Sequence, residues 1–429
     1  MKRSVWFAVL LVLAAASARA EAPAEFRGHG GPVKAIAALA DGTTLVTGGF
    51  DSALIVWDIQ SGAAKRVLRF HGSTVNALVA LPGDCFASGG EDGKIAVWCG
   101  PEAEPKQVYQ GHTAPVTQLA VSRDGQFLAS VSFDRTVRLW PLIKGEARVF
   151  EAAAAPLSAV AFLADASGIV TGGYDGLVRI IPLQGQPAPR PLSLSVPVNA
   201  VTVSPDGSLV IAGADGHLRR LSAQLSIQSD IDIGSGPLTT VAVTPDGTKI
   251  ATAGMRTQVT LIDAATGKTS FEILGPGLPV WSLAFSNDGR ELFTGGQDRA
   301  VRRWVSATGK PSGNELKEEA AATLPYPHER GAELFGACLA CHGLTPDDTA
   351  KAGPTLAGIF GRRIATAPGY NYSQALKNLD IVWSAETIGK LFTLGPAAYT
   401  PGTKMPEQTL SDPTDRDAFI TWLQKATSR

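Results

Sequence analysis

"GHTAPVTQLAVSRDGQFLASVSFDRTVRLW", residues 111–140, holds the pattern on which the fold of most of this chain turns. Its alternating apolar segments, "FLASVS" and "TVRLW", are split by a polar turn, which is the signature of short neighbouring strands. The stretch recurs. An apolar residue following a small residue or proline stands at Val33, Val75, Val116, Leu157, Val198, Leu238 and Val280, with spacings of 42, 41, 41, 41, 40 and 42. Asp51, Asp92, Asp134, Asp175, Asp215 and Asp298 run in step with that series, broken only in the sixth unit, where Arg256 falls at the acid's place. A third series is Trp57, Trp98, Trp140, Ile181, Leu221, Ile262 and Trp304. Seven units of about four strands each, with a period near 40, predict sheets arranged radially so that a ring hides most of their edges.

Residues 22–305 resemble the WD-repeat family, most closely in units one to three and seven. In that family the sequence repeat is offset from the blade, so the resemblance implies that "AEFRG" at 24–28 supplies the strand that closes the last blade. The offset also decides how His29, Thr47 and Asp51 are read. They look like a His/Ser/Asp catalytic set, but the set returns as His71, Ser88, Asp92 and as His112, Ser130, Asp134, each with a Trp six residues after the Asp. A nucleophile needs one copy. The resemblance implies hydrogen-bonded networks inside the blades, satisfying polar groups that burial would penalise. "DAATGK" at 263–268 resembles the tryptophan-docking turn of quinone-dependent propeller dehydrogenases, but Phe271 stands where that motif has Trp, so it reads as a plain turn.

The chain has 429 residues and 45% apolar content, enough for two or more cores. Lys2 and Arg3 precede the apolar run Val5–Ala16, and Ala18-Arg19-Ala20 is a small-x-small cleavage pattern, together reading as a secretory signal over residues 1–20; the alternative is an uncleaved membrane anchor, though the run is shorter than the roughly 20 residues a span needs. Removing Lys2, Arg3 and Arg19 from the 38 bases leaves 35 against 39 acids. Such a surface lacks the basic field that nucleic acid requires. The expectation is a soluble periplasmic protein, in a compartment that permits disulfides. Cys85 and Cys99 each lie seven residues from Asp92, so tight strand pairing sets them face to face; a disulfide and two buried free thiols are both open.

Residues 306–327 read as a linker, rich in Pro, Gly and charge, with a possible short helix over 315–322. Extended, it could span roughly 70 Å at about 3.3 Å per residue, so the C-terminal segment could sit against the ring or swing from it. That segment contains "CLACH", residues 338–342. Two thiols three apart lie on one helical face, where each can add to a vinyl group of one porphyrin, and His342 is placed to ligate the iron. Zinc would want two more ligands, while His328 is the domain's only other His and the segment has no further Cys. A sixth iron ligand is commonly Met; beyond the leader the methionines are Met255, in the sixth repeat, and Met405.

Residues 328–429 resemble the small mitochondrial and bacterial cytochromes c over their whole length. "ERGAELFGACLACH" is similar to that family's first helix and attachment site, "AGPTLAGIFGRRIATAPGYNY" to its loop under the heme, "PGTKMP" to its methionine loop and "RDAFITWLQKA" to its last helix. The resemblance implies that the end helices cross at Gly331 and Phe335. It implies that the Pro354 carbonyl accepts from the ring of His342, that Arg362, Tyr372 and Trp383 surround the heme propionates, and that Thr403 sets a hydroxyl beside the methionine loop. Phe392 and Leu376 replace the Tyr and Asn of many relatives. From Pro325 onward the domain carries ten bases and ten acids, so it lacks the basic docking face of mitochondrial relatives.

The expected protein is thus multidomain: a signal peptide (1–20), an all-β seven-bladed propeller (21–305), a linker (306–327) and a small all-α cytochrome c domain (328–429). It would carry one covalent heme c through Cys338 and Cys341, with His342 and Met405 on the iron, shuttle single electrons, and dock a redox partner on the propeller. The alternative is an oxidoreductase whose propeller holds a second cofactor or a substrate site.

Overall fold

The computed structural model describes residues 22–428, apart from 152, 186, 235, 256–257, 275–278, 314–323, 337, 340, 347–350, 352, 371, 404 and 406–407. The leader, Arg256 and the helix expected over 315–322 lie outside the described residues.

Seven four-stranded antiparallel sheets form the ring. Each of the seven apolar anchors is the first residue of the first sequence strand of its blade, from Val33–Ala38 to Val280–Phe285. The reason is a contact between blades. At Gly48, Gly89, Gly172 and Gly295 an added Cβ would come within 2.6, 2.7, 2.4 and 2.6 Å of Cγ1 of Val75, Val116, Val198 and Val33. The anchor of one blade thus fills the space that the preceding blade leaves by having no side chain. Dispersion and apolar burial then hold neighbouring sheets at close-packed spacing.

The ring is closed by its own ends. Strand Glu25–Arg27 pairs antiparallel with Ala300–Arg302 of the last blade. Arg302 Nε donates to Glu25 at 2.9 Å, and Arg303 donates to the Pro23 carbonyl at 3.2 Å. The linker starts inside this seam, since Pro311 bridges Trp304 and Ser312 donates from its backbone to Arg303.

The repeated polar sets are structural. In the first blade Trp57 Nε1 donates to Thr47 Oγ1 at 2.8 Å, Thr47 Oγ1 lies 2.7 Å from His29 Nε2, and His29 Nδ1 lies 3.0 Å from the Asp51 carboxylate. The same chain of bonds runs Trp98, Ser88, His71, Asp92 and Trp140, Ser130, His112, Asp134. With neutral imidazoles one direction of proton donation satisfies it: indole into hydroxyl, hydroxyl into Nε2, Nδ1–H into carboxylate. Blades four and five lack the His and the Trp, and there Arg179 and Arg219 bind Asp175 and Asp215 at 2.7 and 2.6 Å. The hydroxyl of Thr171, at the network position of blade four, is buried without a partner. His217, unassigned by the repeat, meets Asp230 at 2.7 Å. Asp263 caps the 263–268 turn by accepting from Thr266.

Cys85 and Cys99 form a disulfide with Cα atoms 4.4 Å apart. The register that pairs Phe86 with Trp98 brings the next residues outward into opposition. Mapping of non-reduced peptides should recover this pair, and free alkylated thiols at both positions would contradict it.

Ser88→Ala should destabilise the ring by about 1–3 kcal/mol, because it leaves the buried groups of His71 and Trp98 unsatisfied; chemical denaturation checks this. Burial raises the Asp92 and Asp134 carboxyls, but the bonds each accepts outweigh it and hold both at about 2. Since these values lie below the usual 3.8, the stabilisation is complete above that pH and is lost as pH falls toward 2. Acid titration followed by fluorescence of the buried tryptophans should show a transition in that window.

Candidate functional site

Beyond the ring the chain folds into short helices: α1 (Arg330–Phe335), α2 (Gln374–Lys377), α3 (Ala385–Leu394), α4 (Pro396–Tyr399) and α5 (Pro413–Thr427). Helices α1 and α5 cross where Gly331 meets Trp422. A Cβ on Gly331 would lie 2.2 Å from Trp422 Cβ and 2.6 Å from the Ala418 carbonyl, so no side chain fits. Phe335 completes the crossing, its ring 4.9 Å from Trp422 and 6.3 Å from Phe419. Trp422 donates to the Pro325 carbonyl at 2.8 Å, and buried Leu324 joins the same core, so the end of the linker segment already belongs to this domain. Helix α3, opened by a Ser384–Thr387 capping box, buries Ile388, Leu391 and Phe392.

The attachment motif sits on a turn that continues α1. Cys338 donates to the Phe335 carbonyl at 2.7 Å and His342 to the Cys338 carbonyl at 2.9 Å, an i to i−4 step that sets His342 one helical turn past Cys338. Lys351 Nζ caps this turn on the carbonyls of Leu339 and His342 at 2.9 and 3.1 Å. The ring of His342 is fixed by Nδ1, which lies 2.8 Å from the Pro354 carbonyl and donates to it, leaving Nε2 as the nitrogen for a metal. Burial pushes the His342 pKa down, which keeps the imidazole in its neutral, ligating form. Gly353 is required beside it, because a Cβ there would come within 2.5 Å of His342 Cε1. In the methionine loop the Thr403 hydroxyl accepts from the Met405 backbone at 3.1 Å, and Ser373 donates to the Gly402 carbonyl at 3.0 Å.

All nine residues singled out in the sequence line one cavity of about 400 Å³: Cys338, Cys341, His342, Pro354, Arg362, Tyr372, Trp383, Thr403 and Met405. Its other walls include Phe335, Ile388, Leu391 and Phe392, so it is an apolar slot with a nitrogen and a thioether among its lining groups. Cys338 and Cys341 are buried and not bonded to each other. Burial raises their thiols to about 12 and about 11, far from the reactive thiolate of a redox pair. This donor set fits a covalently held iron porphyrin. Arg362 donates to the carbonyls of Ala357 and Thr355 at 2.8 Å each, and burial raises Tyr372 to about 12.

The cavity has a second set of walls that motif reading did not find. Gly30, Asp51, Ser52, Arg69, Phe70, His71, Gly72 and Arg299 of the ring also line it. The cytochrome domain therefore rests on the ring face built by the connections of blades seven, one and two. The contact is intimate at one sulfur: Cys341 Sγ lies 3.6 Å from the His29 carbonyl.

Comparison with known proteins agrees with both halves. The WD domain, G-beta repeat family matches residues 21–58, 62–99, 103–141, 146–181, 192–219 and 267–304. The cytochrome c family matches residues 328–427. Among relatives, the cytochrome c of Sesamum indicum is 41% identical over 99 residues, which are 23% of this chain and 88% of that protein. Kluyveromyces lactis cytochrome c is 35% identical over 109 residues, 24% of this chain and 98% of the relative. The chain belongs to the WD-repeat family by its ring and to the cytochrome c family by its last hundred residues. Membership of the latter means a covalently bound heme c and heme-based electron transfer.

Gly331→Ala should destabilise the cytochrome domain by about 1–3 kcal/mol or more through overpacking against Trp422. The unfolding midpoint of the heme absorbance reads it, while the ring's own transition should stay in place.

Proposed function

We propose that the protein is an exported single-electron carrier, its heme c joined to Cys338 and Cys341 and ligated by His342 and Met405. The observation that carries this reading is the convergence of the nine residues on one cavity. When bound there, the heme supplies a one-electron ferric/ferrous couple; the chain orients it and excludes water. His342 is held by Pro354, Met405 is steadied by Thr403, and Phe335, Leu391 and Phe392 give the low-dielectric wall that favours the less charged, reduced iron. Export is supported by the leader pattern and by the Cys85–Cys99 bond, which belongs to an oxidising compartment. Among the described residues no helix is long and apolar enough to cross a membrane.

In this reading the propeller also docks the redox partner. Phe50, Phe133 and Tyr174 occupy the same turn in blades one, three and four, next to the aspartates of the repeat, and all are exposed. Phe133 and Tyr174 meet edge to face at 5.8 Å, forming an aromatic patch on the face that carries the cytochrome domain. Such rigid, half-wet rings suit a protein interface.

Two measurements test the proposal. Met405→Ala should abolish the weak absorption band at the red end of the oxidised spectrum and lower the reduction potential; a variant that keeps both would place another ligand on the iron. Phe133→Asp with Tyr174→Asp should leave the heme spectrum intact and slow reduction by the native partner at least tenfold. Unchanged transfer would remove the patch from the docking reading, and a second chromophore in the ring would favour an oxidoreductase.

A further inference from the structure

The ring residues in the heme cavity carry charge, and one of them is placed as no surface residue would be. Arg69 comes directly after the outer strand of the first blade, Ala64–Leu68, and leaves the ring to enter the cytochrome domain. Its guanidinium donates to the Lys351 carbonyl and lies 4.3 Å from the centre of the Tyr370 ring. Tyr370 in turn packs 4.6 Å from Tyr372, and all three line the cavity. A guanidinium remains charged at any pH a protein survives. That of Arg69 is half-buried, and its charge is met by the Lys351 carbonyl, by Tyr370 and by the nearby Asp51 carboxylate, which together hold it at the cavity wall. The neighbouring contact confirms that the ring is a wall and not a distant neighbour: an added Cβ on Gly30 would stand 3.4 Å from Cys341 Sγ. In the holoprotein that atom is a thioether sulfur with no hydrogen, so its contact with the His29 carbonyl is one of packing.

We propose that the heme site is shared between the two domains: the ring covers the heme edge that carries Cys341, and Arg69 supplies the site with a half-buried cation that raises the reduction potential. The sign comes from charge. Oxidation adds one positive charge to the iron, and a fixed cation in a poorly hydrated cavity opposes it. The planar fork of Arg69 also suits the carboxylates that a porphyrin bears. The proposal rests on heme c occupying the cavity and is independent of the Met405 ligand and of partner docking on the ring.

The test is a potential titration of the full-length holoprotein. Arg69→Gln should shift the potential downward, while Arg69→Lys, which keeps the charge, should retain most of the parent value. Arg66→Gln is the control. It lies within the strand that Arg69 follows, but its guanidinium reaches the Glu102 carbonyl at 3.0 Å and does not line the cavity. An Arg69→Gln potential equal to the parent's, or an equal drop in Arg66→Gln, overturns the proposal. Should Arg69→Gln fail to hold heme, Gly30→Trp decides, because it wedges the ring away from Cys341 without altering the cytochrome domain's own chain. Its potential should fall and ascorbate should reduce its heme several-fold faster; no change in either also overturns the proposal.

Discussion

Everything in this molecule hangs from one three-residue strand. Glu25–Arg27 completes the last blade, and without it that blade would have three strands and leave the edge of Ala300–Val305 unpaired. The pairing joins residues 277 apart in the chain, as the Arg302–Glu25 bond shows. The entropy of closing such a loop is borne by contacts repeated at every blade boundary, chiefly the valine that fills the place of a glycine side chain next door. The seam also fixes the tether: Pro311 and Ser312 are stitched to it, so the cytochrome domain leaves the ring beside the last blade and comes to rest on blades seven, one and two.

The ring's polar interior explains how it can be rigid without being wholly apolar. Each Trp, hydroxyl, His and Asp chain places donors and acceptors in a single consistent order, and each aspartate also accepts backbone N–H groups, as Asp51 does from Gly30 and Ala53. The consequence reaches the heme cavity. Asp51 lines it, yet its charge is already held by His29 and by those N–H groups, which keep its carboxyl low despite burial. That carboxylate keeps its negative charge and acts on both Arg69 and Cys341, while Arg69 and Arg299 bring positive charge to the same wall.

The fold was legible in the sequence because its determinants are periodic. Anchors about 41 residues apart mark the strand starts, and the blades whose networks are complete are those that match the repeat best. Blade four shows what was hidden: nothing in its sequence announces that Thr171 would be buried without a partner or that Arg179 would stand in for a histidine. The cytochrome half was legible from short motifs, and the nine residues named from them share one cavity. The ring's share of that cavity was not. Arg69 and Lys351 are 282 positions apart, and no motif in either family couples them. Their contact is a product of how two domains sit together, which local pattern does not encode.

The burial of Cys341 against His29 sets an order of events in biogenesis. A sulfur pressed onto a carbonyl of the ring is out of reach of any apparatus that must bring a porphyrin vinyl group to it. Attachment therefore comes first and docking second: the cytochrome domain must receive its heme while still free on its tether, and only then settle onto the ring. In a chain whose domains met first, the Cys341 thiol would stand against the ring, away from the porphyrin vinyl group it must meet.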